Sequence, residues 1–125
     1  MSTQALAKVM TRVRLSREGN AKRILFICSA GLLRSPTAAI IGHQQFGWNA
    51  RSAGIEDFAL INVTDALLGW ADCIICMTDD HKVKLLSQFS HLDIQPDTVE
   101  VLDIPDDYSW MDDTLVAILR DKLRD

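Results

Sequence analysis

The chain has 125 residues, 48% of them hydrophobic, which makes one domain able to bury most of its apolar surface without disulfide or metal staples. Three cysteines form an odd count without framework spacing, which points to a reducing cytoplasm, and the opening residues carry no long apolar run, so neither a membrane span nor a secretion signal is expected. The net charge of −4 is unevenly spread: +5 over residues 1–23, −2 over 24–92 and −7 over 93–125. No aromatic or Gly-rich interleaving accompanies the basic stretch, so nucleic acid is not an expected partner.

Residues 1–20 hold Leu6, Val9, Met10 and Val13 at helical spacing and end at Gly19-Asn20. The stretch reads either as a short amphipathic helix or as a frayed arm. Residues 1–21 are therefore taken as an N-terminal extension to a domain spanning 22–125. Ile24-Leu25-Phe26-Ile27 is β-branched at both ends and too short for a helix, and so reads as a strand buried on both faces. Ser35-Pro36 then marks a helix start, with Ser35 as N-cap and Pro36 at the first helical position, and Thr37 to Ile41 continues the helix.

Between strand and helix lies Cys28-Ser29-Ala30-Gly31-Leu32-Leu33-Arg34. A loop in that position aims several backbone N–H groups at one spot with the helix dipole behind them, which makes an anion site and stabilises a thiolate at its base. Gly31 can take a left-handed conformation without a Cβ penalty, and the planar fork of Arg34 can grip two phosphate oxygens.

After Gly47 breaks the helix, Trp48 to Ser52 reads as a second strand, and Thr64 to Trp70 as a short helix capped by Thr64. Asp72 to Met77 is a third strand, on which Cys73 and Cys76 point to opposite faces. Lacking a second ligand pair they are expected in the core, and no metal site is expected. Asp79 to Phe89 is a helix with Val83, Leu85, Leu86 and Phe89 on its buried side. Pro96 ends a linker, Val99 to Leu102 is the last strand, Asp103 to Tyr108 a loop, and Met111 to Leu123 a closing amphipathic helix. His43, His81 and His91 show no ligand spacing and are expected at surface or half-buried positions. Trp48 and Trp70 are expected in the core, and Tyr108 and Trp110 along a cleft. Strands alternating with helices imply a three-layer α/β domain: a four-stranded parallel sheet, right-handed crossovers and helices on both faces. The Cys28 and Asp103–Tyr108 loops leave strands at the same edge, where such sheets bind ligands.

Cys28, five intervening residues, Arg34 and Ser35, preceded by Ile-Leu-Phe-Ile and followed by Pro36, resemble the phosphate loop of the low-molecular-weight protein tyrosine phosphatases. Arg51-Ser52-Ala53-Gly54 is similar to the segment after that family's second strand, Met77 with Asp79 to the exit of its third, and Ile104-Pro105-Asp106-Asp107-Tyr108 to its acid loop. The resemblance runs from about Lys22 to Leu123. It implies a cysteine phosphatase, free of metal and cofactor, acting on phosphotyrosine in a protein or on a small aryl phosphate. Cys28 is then the nucleophile. The backbone of Ser29, Ala30, Gly31, Leu32, Leu33 and Arg34 and the Arg34 guanidinium hold the phosphate oxygens, and Ser35 donates its hydroxyl to the sulfur. Asp106 is the general acid, ahead of Asp107 and Asp103, whose mutual repulsion favours one of the three keeping its proton; Tyr108 lines the cleft wall.

The departures are specific. Gly31 replaces an Asn that braces the loop, Leu33 a second Cys, and Asp107 a Pro; the family's chain is longer between the positions of Gly54 and Trp70, where an aromatic-bearing loop walls the cleft. Two other readings follow from the same residues. One is a phosphate-recognition module with little turnover; the other is a thiol-dependent arsenate reductase, which needs a resolving cysteine within reach of Cys28.

Overall fold

β1 (Arg23–Cys28) is buried from Ile24 to its end, as its uninterrupted apolar run requires of a central strand. The structure, a computed structural model, describes residues 22–29, 34–105, 108 and 111–123. The expected N-terminal extension and the candidates Ala30, Gly31, Leu32, Leu33, Asp106, Asp107 and Trp110 lie outside the described residues. After β1 come α1 (Arg34–Phe46), β2 (Asn49–Gly54), α2 (Asp65–Trp70), β3 (Cys73–Cys76), α3 (Asp79–Gln88), β4 (Val99–Val101) and α4 (Asp113–Leu123).

The sheet order is β2-β1-β3-β4 with every pairing parallel. β1 is therefore central, Ile27 pairing with Ala53 on one side and with Cys76 on the other. Alternation along each strand divides the core into two layers. Ile24, Phe26, Cys28, Cys73, Ile75 and Met77 pack with Ala38 and Ile41 of α1 and with Leu115, Leu119 and Leu123 of α4. Leu25, Ile27, Ile74, Cys76 and Val99 pack on the opposite face with Leu68 of α2 and Leu85 of α3. This is the expected three-layer architecture, and Cys73 and Cys76 do face opposite layers.

Local signals explain the element ends. Thr64 accepts a hydrogen bond from the Leu67 N–H at 3.1 Å and so caps α2, and Gly47 ends α1 with φ +67°, a left-handed turn that only glycine takes without strain. Close packing accounts for Gly42: a Cβ there would lie 2.9 Å from the ring of buried Trp48, which stacks on Phe46 at 4.7 Å.

Four expectations need correction. Ser35 is not the cap of α1, because the helix begins at Arg34 and the Ser35 hydroxyl is engaged with Cys28. β2 starts one residue later and runs two residues further than read, since Trp48 turns into the core while Ala53 and Gly54 pair with Ile27 and Cys28. Val83 is 59% exposed, because it stands two residues from buried Leu85, about 200° round the helix. Trp70 is half-buried, its ring covered by the Arg51 guanidinium at 4.4 Å. No helix among the described residues is long and apolar enough to cross a membrane.

Candidate active site

The strand order switches at β1, since β2 lies on one side of it and β3 on the other, so the crevice of this fold opens where β1 ends. That end is held by three hydrogen bonds from its two neighbours. Ile55 N–H donates to the Cys28 carbonyl at 2.9 Å, Glu56 N–H to that of Ser29 at 3.0 Å, and Met77 N–H to that of Ile27 at 2.9 Å. The exits of β2 and β3 thereby clamp the point at which β1 gives way to the loop.

Cys28 is 3% exposed, and its Sγ lies 3.0 Å from Ser35 Oγ in the first turn of α1. A hydroxyl directed at sulfur beside a helix N-terminus stabilises negative charge there, through one hydrogen bond and the partial positive charge of the helix end. Arg34 is also buried, and its Nη1 donates to the Ile104 carbonyl at 2.7 Å. Thr37 Oγ1, three residues further on, accepts from the Met111 N–H at 3.0 Å. Two residues of the first turn of α1 therefore hold both ends of the acidic segment. Asp103 and Met111, which flank that segment, have φ of 57° and 56°, a left-handed backbone that marks sharp turns on either side. Asp103 is exposed, and Tyr108 is half-buried against the core layer of α1 and α4. Arg34, at the start of α1, and Ile104, next to Asp103, are thus joined although 70 residues apart.

His81 corrects a further expectation, for it is buried rather than superficial. Its Nδ1 accepts the Thr78 backbone N–H at 3.2 Å, and its Nε2 lies 2.9 Å from Ser29 Oγ. A backbone N–H can only donate, so Nδ1 carries no proton in this arrangement and Nε2–H donates to Ser29. The ring links the exit of β3 to the first residue after Cys28. The available signal was Thr78 followed three residues later by His81, the spacing of a capping box with imidazole in place of Glu or Gln.

A cleft of about 520 Å³ opens at this edge. Ser29 and Arg34 line it from the β1–α1 junction, Glu56 from the exit of β2, and Thr78, Asp80, His81, Val83 and Lys84 from the exit of β3 and α3. Lys84 and Glu56 form an ion pair across it. Neither other cysteine is placed to resolve an oxidised Cys28. Cys76 faces the opposite layer, and Cys73 pairs with Ile24, four residues or roughly 13 Å along the strand from Cys28.

No protein-family model and no curated protein matches the sequence. Solved structures do match. SP-PTP, a low molecular weight protein tyrosine phosphatase from Streptococcus pyogenes, is 17% identical over 82% of this chain and 89% of its own, with a TM-score of 0.67. The tyrosine phosphatase Wzb from Escherichia coli K30, in complex with phosphate, is 18% identical over 84% of this chain and 95% of its own, with a TM-score of 0.67. The YwlE arginine phosphatase from Geobacillus stearothermophilus is 21% identical over 82% of this chain and 86% of its own, with a TM-score of 0.60. The shared feature is the fold.

Proposed function

We propose that this chain, which has the fold of the low molecular weight protein tyrosine phosphatases, is itself a cysteine-dependent phosphatase that acts on phosphotyrosine or a similar aryl phosphate in the cytoplasm. The observation that carries the reading is the contact between Cys28 Sγ and Ser35 Oγ at the junction of β1 and α1, with Arg34 buried beside it. A structural thiol needs neither a hydroxyl partner nor a helix N-terminus.

In this mechanism the Cys28 thiolate attacks phosphorus in line with the leaving oxygen, and the P–O bond breaks as the S–P bond forms. Asp106 gives the departing oxygen its proton. Arg34 and the backbone N–H groups of residues 29–34 hold the three non-bridging oxygens, on which charge is spread in the transition state. Asp106, now a carboxylate, takes a proton from a water that attacks the cysteinyl phosphate. Breaking the S–P bond releases inorganic phosphate and returns the thiolate, with the Ser35 hydroxyl stabilising the sulfur as it leaves. Support for Asp106 comes from the anchoring of its segment to Arg34 and Thr37.

The test is hydrolysis of a small aryl phosphate between pH 5 and 8, with chelator present, by the native chain and by Cys28→Ser. Turnover that vanishes in the variant and survives chelation is expected. Absence of turnover in the native chain, together with saturable phosphate binding, replaces the enzyme with a phosphate-recognition module. Because this fold also serves a protein described as an arginine phosphatase, a phosphoarginine peptide belongs in the same assay.

A further inference from the structure

α3 meets the sheet through Leu85, which is fully buried in the layer that holds Leu25 and Ile27 of β1. His81 stands four residues before Leu85 and so on the same face, and the packing that seats Leu85 also aims the imidazole inward, where it is 5% exposed. The ring is held from behind. Its Nδ1 accepts the Thr78 N–H at 3.2 Å and has the Thr78 hydroxyl at 3.1 Å, an arrangement that leaves the ring proton on Nε2. That proton faces Ser29 Oγ at 2.9 Å.

Ser29 is thereby gripped twice, on its side chain by His81 and on its carbonyl by the Glu56 N–H from the exit of β2 at 3.0 Å. It directly follows Cys28, and the loop that it opens has Gly31, the residue type with the widest backbone freedom, near its middle. An external tie on the first residue of such a loop removes freedom that its sequence leaves open. Capping α3 does not account for the tie. That task uses Nδ1 alone, and Glu or Gln performs it at the same position of a capping box, whereas the buried Nε2 serves Ser29.

We infer that His81 is a positioning residue for the reaction: through the bond from its Nε2–H to the Ser29 hydroxyl it holds the first residue of the phosphate loop, and with it the Cys28 sulfur, on the line of attack. The role in catalysis rests on the phosphatase reading, but the hold on the loop stands by itself. A small displacement of a nucleophile from its attack line is costly in rate. Substrate binding draws also on Arg34 and on the rest of the loop, so losing the tie lowers kcat and leaves KM nearly unchanged.

The experiment is a double-mutant cycle on Ser29→Ala and His81→Gln, with aryl phosphate kinetics, melting temperature and the rate of Cys28 alkylation read for each chain. Ser29→Ala removes one hydroxyl from a half-buried side chain and is expected to fold as the native chain does. Each single change is expected to lower kcat about five- to tenfold with KM within about twofold, and the double variant to fall no more than about twofold below the poorer single one. Ser29→Thr keeps the hydroxyl and is expected to retain kcat within about twofold. Losses in kcat that follow the melting temperature, or that multiply in the double variant, overturn the inference, and so does native kcat in Ser29→Ala. If the native chain leaves the aryl phosphate intact, the phosphatase reading fails, and iodoacetamide then decides whether His81 holds the loop. Cys28 is 3% exposed, so a loop released from His81 should let it label faster. A rate raised about threefold or more in both single variants, and no further in the double, sustains the hold; native or slower rates overturn it.

Discussion

β1 and β3 are adjacent parallel strands, and each ends in a buried cysteine, Cys28 on one and Cys76 on the other. Their surroundings differ. Cys28 has a hydroxyl at 3.0 Å and the N-terminus of α1 beyond it. Cys76 lies in an apolar layer with Leu25, Ile27, Leu85 and Val99, where burial pushes its thiol up to about 12 despite some opposition from Lys82. Burial by itself therefore says nothing about reactivity. What matters is whether the buried sulfur is given polar partners, and only the β1 end continues into a loop and helix that supply them.

The largest expected effects come from exchanging the two thiols' fates. Cys28→Ser should lower aryl phosphate turnover by about 10³-fold or more, because no other group in the site serves as nucleophile. Cys76→Ala should leave turnover within about twofold and lower the unfolding free energy by about 1 to 3 kcal/mol through lost packing. Alkylation sharpens the contrast. At pH 8 a thiol near 12 is ionised in about one molecule in 10⁴, so iodoacetamide should spare Cys76 until the chain unfolds. Cys28 should react in the native state and be protected by inorganic phosphate. Native labelling of Cys76 at the rate of Cys28 would sink the comparison.

The next effect separates the two jobs of His81 at the exit of β3. His81→Ala leaves the Thr78 N–H and the Ser29 hydroxyl without the ring, and should cost about 1 to 3 kcal/mol of stability. Turnover should fall by roughly tenfold as Ser29 loses its anchor, an effect of about 1.4 kcal/mol on the barrier. His81→Gln retains an acceptor at the capping-box position and should recover much of the stability while leaving turnover low. Parallel recovery of both quantities would mean that the Ser29 contact is incidental.

Most of the fold was legible because its signals are local. The Ile24–Ile27 run, Thr64, Gly47 and the alternation of Cys73 and Cys76 each act within a few residues, and each element took its expected place. The misreadings have a different origin. The burial of His81 depends on Ser29, 52 residues away, and Ser35 was read as a cap because its partner, Cys28, lies across a loop rather than in the first turn of the helix. Val83 is exposed for a local reason, its offset of two residues, about 200° round the helix, from buried Leu85. The bond from Arg34 to Ile104, which brings the acidic segment to the start of α1, joins residues 70 apart and has no local signature at all.

A smaller effect concerns how closely α1 approaches the sheet below the site. Gly42→Ala adds a methyl group that would stand 2.9 Å from the Trp48 ring, itself held by Phe46. The helix gains about 1 kcal/mol of intrinsic propensity, and overpacking costs about 1 to 3 kcal/mol. Chemical denaturation should show a net loss of about 1 kcal/mol, and a gain would mean that the ring moves freely. Either way, turnover should change less than it does on altering His81, because Gly42 touches the Trp48 side of the helix and not Cys28 or Arg34.

The smallest effect lies at the opposite ends of the same two strands. Arg23 opens β1 and Asp72 precedes β3; the Asp72 carboxylate accepts the Arg23 backbone N–H at 3.0 Å and its guanidinium at 3.2 Å. Burial raises the carboxyl's pKa, but Arg23's hydrogen bonds and charge, with help from Lys22, outweigh it and hold the group below its ordinary 3.8. A carboxyl depressed in the folded chain adds stability above its unfolded pKa, and that stability is lost as the pH falls through the folded value. The pair is partly exposed, Arg23 more than Asp72, so salt screens it and its worth is at most about 1 kcal/mol. Asp72→Asn should therefore melt slightly below native at pH 7 in low salt, and the gap should narrow in 1 M salt and close as the pH falls through the carboxyl's folded value. A gap that widens in acid would reverse the sign of the coupling. A gap independent of both pH and salt would show that the carboxylate's hydrogen-bond geometry, and not its charge, joins β1 to β3 at the end away from the site.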